Sequence, residues 1–266
     1  MGIFRQAFTK SAWKKALKKQ YVRVNGATAS SATFIWGGET ISLSIPEEEY
    51  PRRKLILPLT VLWEDEYLAV IHKPAGILVS GNRFKTIANA LPQNIKPSPL
   101  ADATTPQPVH RLDYATTGVL LVGKTSSSIR DLNKMFEIKQ IEKTYYAAAI
   151  GEMNDSGVIT ADIDGKKAHS EYTVEESVRS ERFGKLNLVQ LIPQTGRRHQ
   201  LRKHLSAIGN PILGDKDYGT EGLILNGKGL YLHAYSLRFT HPCTGKNIYV
   251  KCEVPQKFKK IFPYLA

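Results

Sequence analysis

Cysteine is scarce in this chain: Cys243 and Cys252 are the two thiols in 266 residues. That excludes a disulfide scaffold, and both are expected as reduced side chains in strands. No Cys-x-x-Cys pair occurs, which argues against a cysteine-based zinc site. Long apolar runs are also missing. No stretch approaches the roughly 20 apolar residues that cross a bilayer as a helix. The opening Met1-Gly2-Ile3-Phe4-Arg5-Gln6 lacks the apolar core of a signal peptide, and position 6 is not the Ser or Thr of a myristoylation signal. A cytoplasmic protein with no membrane partner is expected. Neither a Walker motif nor a dinucleotide fingerprint occurs, so no nucleotide cofactor is expected. Acidic residues are few beside basic ones: 24 Asp and Glu against 37 Lys and Arg, a net charge of +13. The excess favours a polyanionic partner, nucleic acid first.

What is present suffices for a sizeable core, in one large or two smaller domains. Residues 1–26 hold seven basic residues and no acidic one. Ser11 is placed to cap a helix whose stripe is Trp13, Ala16, Leu17 and Tyr21. Lys14, Lys15, Lys18 and Lys19 fall on its exposed side. Tyr21-Val22-Arg23-Val24 then reads as a strand into an Asn25-Gly26 turn. Trp36-Gly37-Gly38-Glu39-Thr40-Ile41-Ser42-Leu43 reads as another turn and strand. Glu47-Glu48-Glu49-Tyr50, bracketed by Pro46 and Pro51, is the best linker. The boundaries are therefore 1–46, a linker at 47–55 and a larger domain at 56–266.

Within the larger domain, Val61–Trp63 and Leu68–Ile71 around Glu64-Asp65-Glu66 form a hairpin signature. The Pro-rich stretch 92–108 reads as a loop. Thr125–Gln140 reads as an amphipathic helix with Ile129, Leu132, Met135 and Phe136 inward. Strands are expected at 144–150, 170–178, 186–192, 230–239 and 247–254. A second helix is expected from near Arg197 to Gly209, with Leu201, Leu205 and Ile208 as its stripe. A short helix follows Pro255. Many strands with few helices, out of strict alternation, argue α+β.

Three polar runs carry the chemistry. His110-Arg111-Leu112-Asp113-Tyr114-Ala115-Thr116-Thr117-Gly118 stands at the mouth of the apolar strand Val119–Val122. An aspartate there can be a nucleophile, a general base or an ion-pair partner. In Glu142-Lys143-Thr144-Tyr145-Tyr146-Ala147, strand alternation lets only one tyrosine face a site. In Thr195-Gly196-Arg197-Arg198-His199-Gln200-Leu201-Arg202, Arg198 and Arg202 are four apart and would share a helix face. Paired guanidiniums suit phosphate or carboxylate recognition. His199 and His204, five apart with no glutamate between, do not fit the HExxH zinc pattern, so no metal is expected.

These runs, in this order between about residues 56 and 254, resemble the motifs of the RluA family of RNA pseudouridine synthases. Asn210–Asp215, Leu232–Tyr235 and Phe239–Pro242 also match family segments, and Thr117 stands where serine is more usual. The resemblance implies the pseudouridine synthase fold: a bent, mostly antiparallel mixed sheet with flanking helices and a central cleft. It implies a catalytic Asp113, a Tyr145 that stacks on the target base, and an Arg202 that pairs with Asp113 and keeps it ionised. His110, Arg111, Thr117, Arg197, Arg198, His199 and Gln200 are the expected substrate-binding residues. The N-terminal helix, Val22–Gly26 and Gly37–Leu43 resemble an S4 RNA-binding module with a shortened first helix and Gly38-Glu39 where Gly-Asp is usual. It would contact RNA through Lys14, Lys15, Lys18, Lys19 and Arg23. The activity implied is isomerisation of specific uridines in structured RNA by base flipping, ribosomal RNA favoured over tRNA, without a cofactor, by a monomer. The rivals are a non-catalytic RNA-binding or assembly protein and a base-flipping glycosylase.

Overall fold

A computed structural model describes residues 10–44 and 55–265. The chain divides into two compact units, Met1–Arg53 and Lys54–Ala266. All of the expected linker except Leu55 lies outside the described residues.

In the first unit, helix α1 (Lys10–Lys18) is followed by strands β1 (Val22–Val24), β2 (Ala27–Thr28) and β3 (Ile41–Leu43), paired antiparallel in the order β2-β1-β3. Asn25 and Gly26 both take positive φ, 48° and 83°, which matches the twist a two-residue hairpin needs. Trp13, Ala16, Leu17 and Tyr21 are half-buried, while Lys14, Lys15, Lys18, Lys19 and Arg23 are exposed. Ser11 does not begin the helix, because α1 already includes Lys10 before it.

The second unit is built on one ten-stranded sheet. Its strands are β4 (Thr60–Glu64), β5 (Leu68–Lys73), β6 (Ala103–Pro108), β7 (Thr117–Thr125), β8 (Glu142–Ile150), β9 (Ser156–Ile159), β10 (Ser170–Ser180), β11 (Gly184–Pro193), β12 (Leu232–Thr240) and β13 (Asn247–Lys251). The order is β4-β5-β7-β12-β8-β11-β10-β9, with β13 also on β12 and β6 also on β7. Four helices accompany them: α2 (Ile87–Ala90), α3 (Ser126–Glu137), α4 (Gln200–Ala207) and α5 (Gln256–Lys259). The architecture is the expected α+β one, with a large and mostly antiparallel sheet.

One junction joins the halves of this sheet. β7 and β12 run parallel and pair only at Thr117 with His233 and Gly118 with Ala234. Gly118 has φ +118°, and a Cβ there would collide with the Ala234 backbone. The glycine of the first motif is thus required by the close approach of two strands. To one side, β5, β7 and α3 pack around Leu68, Ile71, Leu120, Leu121 and Leu132, all fully buried. To the other, β8, β11 and α4 pack around Ala148, Leu188, Leu191 and Leu205. Tyr145 packs against both cores.

Some expectations need correction. The Pro-rich stretch 92–108 is not all loop, because Ala103–Pro108 pairs with β7. Its prolines are tolerated because the pairing is sparse and alternate residues face outward. Helix α4 starts at Gln200 rather than near Arg197, because His199 takes a left-handed φ of 56°. Arg198 therefore sits in a turn and shares no helix face with Arg202. Ile208 caps the helix and is exposed, so the stripe ends at Leu205.

Candidate active site

The polar segment Val109–Thr116 precedes β7, and the segment Gln194–His199 precedes α4. Both loops emerge where the two cores meet, and a cavity of about 480 Å³ opens between them. Asp113, Tyr145 and Arg198 line it. A second cavity, about 590 Å³, adjoins it and shares Arg111, Asp113, Arg198 and His199. Asp113 thus stands on the partition between two openings, half-buried but reachable.

The Asp113 carboxylate has an arginine and a histidine as neighbours, neither within hydrogen-bonding distance. Arg202 Nη1 is 3.9 Å from Oδ2, and His199 Nε2 is 3.8 Å from Oδ1. The expected pair is therefore present, but it is not the main partnership of Arg202. That guanidinium donates Nε to Asp215 Oδ2 at 2.7 Å and Nη2 to Asp215 Oδ1 at 2.6 Å, and Nη2 also reaches Asp217 Oδ2 at 2.7 Å. It lies over the Tyr218 ring, 4.9 Å from the centroid. Burial works against its charge, but the hydrogen bonds it donates to Asp215 and Asp217 more than compensate and hold it protonated. A bidentate fork fixes the plane of the arginine and leaves Nη1 directed at Asp113.

His199 is held by Tyr218, whose hydroxyl lies 2.9 Å from Nδ1. Desolvation, with the charges of Arg202 and Arg198, pushes its pKa below the usual histidine value against the pull of Asp113. A non-glycine residue in left-handed backbone costs on the order of 1 kcal/mol or more. The ring between Asp113 and Tyr218 is what that strain supports.

Tyr145 projects into the first cavity. Burial and the neighbouring Asp113 charge raise its phenol well above the ordinary range, so the ring stays neutral. Tyr146 points the other way and packs edge-on against Tyr235, 5.0 Å between centroids. Strand alternation separates the two tyrosines as the motif reading requires.

The remaining expected substrate residues divide. Arg111, Arg197 and Arg198 are exposed; Arg197 donates Nε to the Lys167 carbonyl. Thr117 does not line the cavity: its hydroxyl lies 2.8 Å from His233 Nδ1, and Thr116 lines the wall instead. His110 lines the cavity, but its Nε2 accepts a hydrogen bond from the Leu121 backbone. Desolvation and Lys143 push its pKa down to about 3, so the ring is a neutral acceptor. Gln200 is buried with its amide fully engaged. Oε1 accepts from Thr195 Oγ1 and the Arg197 N–H, while Nε2 donates to the His169 carbonyl and Ser170 Oγ. Thr117, His110 and Gln200 thus have these side-chain groups engaged within the protein.

Sequence reasoning missed Lys73. It is fully buried, and Nζ donates to the carbonyls of Pro74 (3.0 Å), Tyr114 (3.4 Å) and Thr116 (2.8 Å). Desolvation lowers its pKa to about 8, with Asp113 pulling the other way. The lysine ties the end of β5 to the backbone on the C-terminal side of Asp113. A lysine ending an apolar strand just before a proline was the available signal. Asp215, which sequence reasoning placed only within a segment matching the family, is the anchor of Arg202. His204 bonds Ser170 and the Ala161 carbonyl and belongs to the fold. Among the described residues no group of three or more His, Cys, Asp or Glu could hold a metal ion, and no helix is long and apolar enough to cross a membrane.

Comparison with known proteins agrees with this geometry. A family model described as RNA pseudouridylate synthase matches residues 67–207. An uncharacterized RNA pseudouridine synthase of Aquifex aeolicus is 33% identical, with 97% of this chain and 90% of that protein covered. Ribosomal large subunit pseudouridine synthase D of Nitrosomonas europaea is 32% identical, over 90% of this chain and 75% of its own. The solved structure of human RNA pseudouridylate synthase domain containing 4 matches at a TM-score of 0.59 and 27% identity, covering 75% of this chain and 90% of that one. The chain therefore belongs to the RluA family of RNA pseudouridine synthases, isomerases that convert uridine to pseudouridine in RNA.

Proposed function

We propose that the cavity beside Asp113 receives a uridine flipped out of a structured RNA and isomerises it there. The supporting observation is the carboxylate itself, which makes no hydrogen bond among the described residues and lies 3.9 Å from an arginine fixed by other partners. Flipping the nucleotide costs a few kcal/mol. Stacking on Tyr145 contributes about 1–3 kcal/mol against that cost. Arg111 and Arg198, exposed at both openings, suit the flanking phosphates. Asp113 then promotes cleavage of the N1–C1′ bond. The uracil turns within the pocket and C5 bonds to C1′. C5 loses its proton and N1 gains one, so the nucleotide keeps its mass. Arg202 serves to orient Asp113.

Residues 1–46 act in this reading as an S4-like RNA-binding module, and 56–266 as the catalytic domain. Ribosomal RNA is the favoured target over tRNA, since the relative from Nitrosomonas europaea is named for the large ribosomal subunit. The test is tritium release from RNA labelled at uridine C5, with large-subunit ribosomal RNA and tRNA as separate substrates. Release by the native protein and none by Asp113→Asn supports the reading. Equal release by both proteins sinks the role of Asp113. Free uracil among the products would indicate a glycosylase instead.

A further inference from the structure

In the N-terminal unit, the loop from β2 to β3 carries Phe34-Ile35-Trp36. Phe34 is 80% exposed, Ile35 53% and Trp36 89%. The loop is braced. The Glu39 carboxylate accepts from the Trp36 N–H at 2.9 Å and the Gly37 N–H at 2.8 Å. Asn25 Oδ1, in the neighbouring turn, accepts from the Thr40 N–H at 2.9 Å. The rings of Phe34 and Trp36 lie 6.4 Å apart with planes inclined by 29°. Two large aromatic faces are thus presented together to solvent by a backbone whose hydrogen bonds are made.

The surroundings say what would cover them. Lys14, Lys15, Lys18, Lys19 and Arg23 are exposed on the same unit. Glu39 is its single acidic residue among those described, and its carboxylate is engaged by backbone N–H groups. The centre of a protein–protein interface is depleted in charge, which this unit is not. A ligand that combines negative charge with flat π-faces matches both features, and unpaired nucleotides have both.

We propose that Phe34 and Trp36 form a stacking platform for unpaired bases of the RNA substrate, with the exposed lysines of the same unit holding its phosphates. The inference rests on the reading that this chain acts on RNA and deepens it. The N-terminal unit would prefer loops or single strands over paired helix, because only unstacked bases can lie on an aromatic ring.

The test uses the full-length Asp113→Asn protein, so that turnover cannot alter the RNA. It is titrated across a salt series with a hairpin that has an unpaired loop and with a fully paired duplex of equal length. Trp36→Ala is expected to weaken hairpin binding about 5- to 100-fold. It should leave duplex affinity and the salt slope as they were, and Trp36→Phe should recover most of the loss. Replacing Lys14, Lys15, Lys18 and Lys19 by Ala should weaken both complexes and flatten the slope. The proposal is overturned if Trp36→Ala binds the hairpin at full affinity, loses equally on both RNAs, or if the parent protein binds neither. Self-association of the parent that Trp36→Ala abolishes would assign the patch to a second copy and overturn it too. Tritium release by the native protein reports on the catalytic reading separately, since it needs Asp113 and not discrimination between loop and duplex.

Discussion

On the α4 wall of the cleft, from Gln194 to Arg202, the key polar side chains are engaged by protein partners, whereas the wall from His110 to Thr116 leaves its carboxylate open. The Gln200 amide makes four hydrogen bonds, and Arg202 makes three to Asp215 and Asp217. Among the described residues Asp113 has only neighbours at 3.8 and 3.9 Å, and the buried Thr116 hydroxyl beside it has no hydrogen-bond partner. The difference separates frame from reactive group. A satisfied wall holds its charge in place without reorganising, and an unsatisfied carboxylate keeps its lone pairs for the substrate. Lys73 applies the same logic from beneath, bonding the backbone of the open wall and leaving its side chains free.

The largest effect should come from the open side. Asp113→Asn should lower turnover by about 10²–10⁴-fold or more, with RNA affinity nearly unchanged. Tritium release beside a binding titration measures both, and a matching loss of affinity would mean that Asp113 builds the wall rather than acts.

The frame should fail through stability instead. Asp215→Ala leaves a buried arginine without its fork and should cost about 3–5 kcal/mol, a fall in Tm of roughly 10 °C. Asp217→Ala removes a partner whose side chain is 61% exposed and should cost about 0–1 kcal/mol. Equal losses in thermal melts would refute the ranking of the two.

Lys73 gives the comparison a pH axis. Its folded pKa of about 8 is below the ordinary 10.5. Below pH 8 the buried ammonium disfavours the folded state. As pH climbs from about 8 toward 10.5 the folded protein releases this proton while an unfolded chain keeps it, so that penalty is relieved and stability rises. Activity should move the other way, because a neutral amine has two N–H groups for three carbonyls. We expect kcat to fall as pH rises through about 8, with KM little changed. Lys73→Met should lower kcat about tenfold and abolish that limb. An alkaline limb retained in the variant would assign it elsewhere.

The smallest effect is expected at Thr116. Replacing a buried, unpartnered hydroxyl with Val should stabilise by about 1 kcal/mol. A destabilised variant in the same melts would mean that the hydroxyl is satisfied in solution.

Much of this was legible in the chain. The alternation that puts Tyr145 on the cavity and Tyr146 on the other face was readable from the chain, whereas the choice of Tyr145 over Tyr146, and of Asp113 as the reactive carboxylate, came from the resemblance to the family. The hairpin at Asn25-Gly26 and helix α3 followed from turn chemistry and periodicity. The start of α4 was misplaced because left-handed backbone at His199 is not encoded by residue type; tertiary contacts with Asp113 and Tyr218 support it. The intramolecular partners of Thr117 and Gln200 were not legible, because polar residues in a motif look alike in sequence whichever neighbour they bond.

From residue order alone came the α+β class, most strands of the sheet and the basic character of the N-terminal unit. Those depend on periodicity, composition and short-range spacing. The choice of Asp215 over Asp113 as the fork for Arg202, and the carbonyls that surround Lys73, arose only when distant segments met. Charge pairing depends on which groups share a desolvated volume, and that is a property of the packed chain.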